Sequence, residues 1–182
     1  KKAYASEKVT IAKKTDVKVK IDNLSAFKDL ANSLIEKYAV PTEATETFMS
    51  DPAKAEKFLV PTALEPDGAK EAKVEATENG YKVTITLVSE TVDYKTAPKY
   101  NTQASLPLTG IAEIAAQNNV TVKSSSFNYS GTVLTAEIDK DGNILSLNHT
   151  MPLKLEATVK YGIMKVEGSG SGQYTLDATF TY

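Results

Sequence analysis

The sequence predicts an α+β domain: a strongly curved antiparallel sheet of about seven to nine strands, like a half-barrel, with one long and one or two short helices on one face. Three observations carry that expectation. From Val120 to Tyr182 apolar and polar residues alternate almost throughout, the period of half-buried strands. Between Leu24 and Tyr38 the period changes to steps of three and four, one stripe of an amphipathic helix. Asn79-Gly80 and Asp141-Gly142 each lie between two alternating runs, as hairpin turns do. The chain has 182 residues, enough for one well-buried core, and residues 1–182 are read as a single domain.

In chain order, Val9, Ile11, Val17, Val19 and Ile21 fall on odd positions, and Lys8, Thr10, Lys18 and Lys20 on even ones. This is strand, read as folded into a hairpin at residues 13–16. The helix follows over 24–39, with Leu24, Phe27, Leu30, Ala31, Leu34, Ile35 and Tyr38 on its stripe. Asp22, Asn23 or Ser25 can cap it and Pro41 stops it. Residues 40–70 carry Pro41, Pro52, Pro61 and Pro66 and read as packed loop, with a short helix from Pro52 to Leu59. With Asn79-Gly80 as a two-residue turn, Ala76 faces Val83, Val74 faces Ile85 and Ala72 faces Leu87, which sets all the apolar residues on one side. Residues 93–108 read as a long polar loop carrying Tyr94 and Tyr100, and 109–119 as a short helix turning Ile111, Ile114 and Ala115 inward. From Leu145 to Tyr161 the inward positions are apolar except His149, and Pro152 interrupts the outward polar set. Near Gly162 the phase slips by one, read as a glycine bulge in one bent strand, so that Gly-Ser-Gly-Ser-Gly at 168–172 becomes the next hairpin loop.

Composition excludes several functions. The net charge is -2 and all 21 basic residues are lysine, which disfavours nucleic-acid binding and phosphoryl transfer. Without cysteine there is no disulfide, thiolate metal site or thiol nucleophile. Seven lysines stand in residues 1–20 against Glu7 and Asp16, and ten acids stand in 36–78 against five lysines, two solvated faces of opposite sign. The chain starts at Lys1 rather than Met, so an upstream segment, a signal or a membrane-surface tether, is expected. With abundant lysine and threonine, this points to an extracytoplasmic protein, secreted or lipid-anchored at the envelope of a Gram-positive bacterium.

The stretch AEIDKDGNILSLNH at 136–149 concentrates the polar chemistry but does not form a calcium loop. Counted from Asp139, Gly142 is fourth and Thr150 is twelfth, where such a loop needs glycine sixth and glutamate twelfth. As a hairpin it pairs Ile138 with Leu145, Ala136 with Leu147 and Leu134 with His149. The single histidine then points inward between Leu147 and Met151, with no second histidine to share a metal. Ser25 and Lys28 match the Ser-x-x-Lys pattern of penicillin-binding enzymes, but Ser25 coincides with the helix cap. Glu90 and Asp93 fall on opposite faces of their strand, which disfavours an acid–base pair. No catalytic residue, metal or cofactor is expected.

Long bent strands, a mid-strand proline and an early helix give a layout that resembles the half-barrel of LolA-like and related bacterial envelope lipoproteins. The resemblance spans the whole chain as layout and transfers no family residues. It implies a non-enzymatic carrier whose sheet wraps a helix around an apolar cavity. The expected partner is therefore a lipid or other apolar small molecule, held by Leu34, Leu147, His149 and Met151, with Tyr94 and Tyr100 at the rim. The contrasting expectation is a surface interaction module with a filled core.

Overall fold

The computed structural model describes residues 8–24, 26, 28–49, 54, 58, 64–104 and 115–182. Among them the chain is mostly antiparallel sheet, nine strands in all. They are β1 (Lys8–Leu24), β2 (Thr42–Met49), β3 (Ala69–Thr77), β4 (Gly80–Leu87), β5 (Glu90–Val92), β6 (Val120–Tyr129), β7 (Val133–Asp139), β8 (Ile144–Tyr161) and β9 (Met164–Thr181). The helices described are α1 (Lys28–Tyr38) and the short α2 (Lys99–Ala104), with a 3-10 turn at Pro66–Gly68, and residues 115–117 are helical as well.

The order across the sheet is β2-β1-β9-β8-β7-β4-β3, and β6 also pairs with β8, carrying β5 on its far edge. One edge of β8 is thus shared: residues 144–150 pair with β7 and residues 153–161 with β6. Met151 and Pro152 stand at that fork, where the neighbour changes and a proline without an N–H is tolerated. The next strand pair bends at the same level. β4 with β7 and β5 with β6 keep one register, joined across the bend by the Leu87 N–H donating to the Thr132 carbonyl at 2.9 Å.

A polar clasp pins this bend. The Glu90 carboxylate accepts from the N–H groups of Lys99 (2.6 Å), Tyr100 (3.0 Å) and Asn101 (2.7 Å), and from Asn101 Nδ2 (2.6 Å). It therefore satisfies the open N-terminus of α2. Buried Thr132 donates to Asn101 Oδ1 at 2.6 Å, which ties α2 to the fork.

Several sequence expectations are corrected here. β1 runs unbroken where a hairpin was expected at 13–16, because β9 pairs with it along nearly its whole length. The helix begins at Lys28 rather than Leu24, which ends β1. The 93–108 loop contains α2, whose start is fixed by Glu90, a partner that is distant in sequence. In the β3–β4 hairpin the loop is Glu78-Asn79, and Ala76 faces Tyr81, Val74 faces Val83 and Ala72 faces Ile85. Gly80 lies instead in β4 against Asp139 of β7, where any side chain would collide with the Ile138 carbonyl. The register shifts by two residues, an even step, so the same side chains still share a face.

The β7–β8 hairpin keeps Ala136 opposite Leu147 and Leu134 opposite His149, but Ile138 faces Ile144 across a bulge. Asp139 accounts for that closure: its carboxylate accepts from the N–H groups of Asp141 (2.9 Å) and Asn143 (2.8 Å) and from Asn143 Nδ2 (2.8 Å). The expected bulge at Gly162 is a hairpin turn. Tyr161 pairs with Met164 around Gly162 and Ile163, with Gly162 at φ 58°. A two-residue turn pairs odd with even positions, which is the observed phase slip. Gly-Ser-Gly-Ser-Gly accordingly lies inside β9, between β1 and β8. The expected helix at 52–59 is described only at Lys54 and Phe58, both helical; of the expected 109–119 helix, residues 115–117 are helical with Ala115 half-buried, and Ile111 and Ile114 lie outside the described residues.

Candidate functional site

Alternation puts one inner face on all the long strands, and its two ends differ. On the β7 side of the fork, the cross-strand rows are Ile11–Phe180, Leu147–Ala178, His149–Leu176 and Met151–Tyr174. Ile11, Met151, Leu176, Ala178 and Phe180 are buried there with Val9 and Phe48. Phe58 closes on this cluster, its ring centroid 5.5 Å from that of Phe48. The Lys13 ammonium lies 4.5 Å from the Phe58 centroid and donates to the Phe58 carbonyl at 2.6 Å.

His149 is 2% exposed and Tyr174 9%, with ring centroids 5.7 Å apart in an edge-on arrangement. Among the described residues, His149 Nε2 and the Tyr174 hydroxyl have no hydrogen-bond partner. Burial pushes the His149 pKa down to about 4, so the imidazole is neutral at pH 7. It also raises the Tyr174 phenol. Both polar groups are enclosed in the packed cluster, away from solvent.

Beyond the fork, β9 presents Gly172, Gly170 and Gly168 to the inner face, opposite Leu153, Leu155 and Ala157 of β8. On the other flank stand Val19 and Ile21 of β1. A Cβ on Gly170 would lie 2.9 Å from the Lys20 carbonyl oxygen, and one on Gly172 would lie 3.1 Å from that of Lys18. The stripe therefore lets β1 approach β9 closely and leaves a trough with no side chains along its floor. Leu153, Leu155 and Ile21 are only half-buried and Val19 is 43% exposed.

Towards the β8–β9 turn lies an open groove of about 480 Å³ lined by Tyr94, Ala116, Asn119, Val120, Thr121 and Val122. The volume falls in the range of small-molecule sites. Val120 and Val122 pair with Tyr161 and Val159, so they belong to the inner face, and the bulge after Val122 turns Ser124 outward. Tyr94 is fixed by its N–H donating to Ser125 Oγ at 2.9 Å and packs against the core cluster. A second groove of about 490 Å³ is lined mainly by outward hydroxyls and carboxylates, among them Ser124, Ser126, Glu156 and Glu167.

The six residues singled out from sequence are thus dispersed. Leu147, His149 and Met151 share one row of β8 but sit in the filled end. Tyr94 borders the open groove. Tyr100 belongs to the clasp: its ring lies against Gly68, and its hydroxyl donates to Asp67 at 3.4 Å. Leu34 is half-buried on α1. Sequence reading missed Val120, Val122 and the glycine stripe. The available signal was glycine at every second position, in phase with Val166 and Tyr174.

Chemistry is sparse elsewhere. Burial raises the Glu90 carboxyl, but the donors of Asn101, Tyr100 and Lys99 outweigh it and hold the group below its ordinary value. Asp93 is held low by the Lys95 N–H and the Thr96 hydroxyl. Neither is poised to donate a proton. Among the described residues no cluster of three or more His, Asp or Glu could hold a metal. No family model, curated protein or solved structure matches the chain.

Proposed function

We propose that the chain is a non-catalytic binding domain that takes an apolar or lipid-like ligand on the inner face beyond the fork. The observation that carries this reading is the side-chain-free floor at Gly168, Gly170 and Gly172 on the same inner face as an open groove at Tyr94, Val120 and Val122. Leu153, Leu155, Val19 and Ile21 are the apolar walls. An exported protein at a bacterial envelope, of the half-barrel carrier type, meets such ligands, and the cysteine-free, arginine-free composition fits that setting.

The test is saturable binding of a dansyl-labelled fatty acid by the full chain, with native mass spectrometry of protein from a bacterial host. The expected result is a single saturable site, weakened at least tenfold by Val122→Glu, which puts a charge into the groove, and unchanged by Glu137→Gln on the outer face. A bare mass together with no saturable binding removes the proposal. It would then favour the second reading, a surface module with a filled core, which rests on the enclosure of His149 and Met151 at 2% and 1% exposure.

A further inference from the structure

The β8–β9 hairpin ends in Lys160-Tyr161-Gly162-Ile163-Met164-Lys165. Ile163 is 96% exposed and Met164 48%. Gly162 supplies the positive φ that this turn needs, and nothing in the turn calls for an apolar residue at the next position, where polar residues serve equally well. Lysine flanks the apolar tip on both strands, and Lys123 is exposed on the adjoining β6. Against these three cations stands Glu167, paired with Lys165, which leaves the tip net positive.

Val120 pairs with Tyr161, so the open groove and the apolar tip share one end of the sheet. We infer that this hairpin tip docks the protein onto an anionic lipid bilayer. Ile163 and Met164 enter the interface, and Lys160, Lys165 and Lys123 meet the headgroup charge. The geometry places the groove mouth beside the membrane, so a ligand would pass between bilayer and trough without crossing bulk water. That transfer step rests on the reading above; the docking itself does not.

The chain has no tryptophan, so Ile163→Trp makes a single-site reporter. With the full chain and vesicles of equal parts phosphatidylcholine and phosphatidylglycerol, its emission should shift to shorter wavelength. Pure phosphatidylcholine vesicles should give a much smaller shift. In the parent chain, Ile163→Asp, or Lys160→Glu with Lys165→Glu, should lower co-sedimentation at least tenfold, while circular dichroism stays that of the parent. Unchanged tryptophan emission overturns the proposal, and that is also the outcome if the tip serves an apolar protein surface. Ile163→Asp protein that sediments as well as the parent overturns it too, since binding would then lie elsewhere, as in the lysine-rich first twenty residues. Fatty-acid uptake measured in vesicle-free solution separates the two readings: docking without uptake removes the ligand reading alone, and uptake without docking removes this one alone.

Discussion

The two ends of the inner face are built from the same three strands, yet β9 fills one with side chains and leaves the other nearly bare, where Phe127 and Tyr129 of β6 are buried beside Leu155 and Leu153. Strands β8 and β9 pair without a slip from Ser146–Thr179 to Tyr161–Met164. What changes at the fork is side-chain volume. Before it, the inward positions of β9 are Phe180, Ala178, Leu176 and Tyr174; after it come Gly172, Gly170 and Gly168, and only then Val166, buried again at 3% exposure. The ladder hydrogen bonds continue past the point where the packing thins, so strand pairing and core formation are separable here. Stability should concentrate in the filled end, and binding should concentrate in the end that stability does not occupy.

The largest test of that division compares two truncations. Phe180 is 6% exposed in the filled end, and Phe180→Ala should cost about 3–5 kcal/mol. Val19 is 43% exposed beside Gly172, and Val19→Ala should cost only about 1 kcal/mol. Urea denaturation of the two variants reads both values. Equal losses would mean that the open end is as tightly packed as the filled one, and the comparison would collapse.

The next effect is on pH dependence and belongs to the filled end alone. His149 has a pKa of about 4 in the folded protein, below its ordinary unfolded value near 6.5. The unfolded chain therefore takes up the proton first as pH falls. Stability is full above about pH 6.5, declines towards pH 4, and loses nothing more from this group below that, a total of about 3 kcal/mol. Its strand neighbours on the inner face, Leu134 and Leu176, carry no charge that would soften the effect. Asp139, held low by Asn143, and Glu90, held low despite burial, lose their contributions only as pH falls through their own depressed values. The interval between about pH 6 and 5 thus isolates the histidine. Denaturation midpoints of the parent should fall across that interval, while those of His149→Phe should stay level. A parallel fall in both would show that His149 is not enclosed as described.

The mostly antiparallel sheet was legible because its cause is local: alternation fixes the face of every residue, and a turn pair fixes where the chain reverses. The pairings Ala136–Leu147 and Leu134–His149 were readable for that reason. The errors came where a distant group decided the outcome. Gly80 looked like a turn residue, but β7 crowds it from across the sheet. Residues 99–104 looked like loop, and their helix is started by the Glu90 carboxylate. The phase slip at Gly162 admitted either a bulge or a two-residue turn by periodicity alone. Choosing the bulge turned the Gly-Ser-Gly-Ser-Gly strand into a loop and hid the floor of the candidate site. His149 was correctly set facing inward, but its facing packed core rather than an open cavity depends on three-dimensional volume that no spacing encodes.

The smallest effect asks why the stripe is glycine at all. If the open end exists only to leave room for a ligand, Gly170→Ala should fill the trough and leave the fold unchanged or slightly stabilised, since alanine loses less chain entropy on folding. The backbone of β1 argues otherwise. A Cβ at position 170 would meet the Lys20 carbonyl oxygen at 2.9 Å, and main chain cannot rotate away as a side chain can. Gly170→Ala should therefore destabilise by about 1–2 kcal/mol, through displacement of β1 from β9. Gly172→Ala meets the Lys18 carbonyl oxygen at 3.1 Å and should be milder, because a few tenths of an ångström relieve it. Melting both variants with and without bound fatty acid separates the causes. A loss that persists without ligand assigns the glycines to strand approach, with the trough as its consequence. Ligand-free stability equal to the parent's would assign them to the ligand.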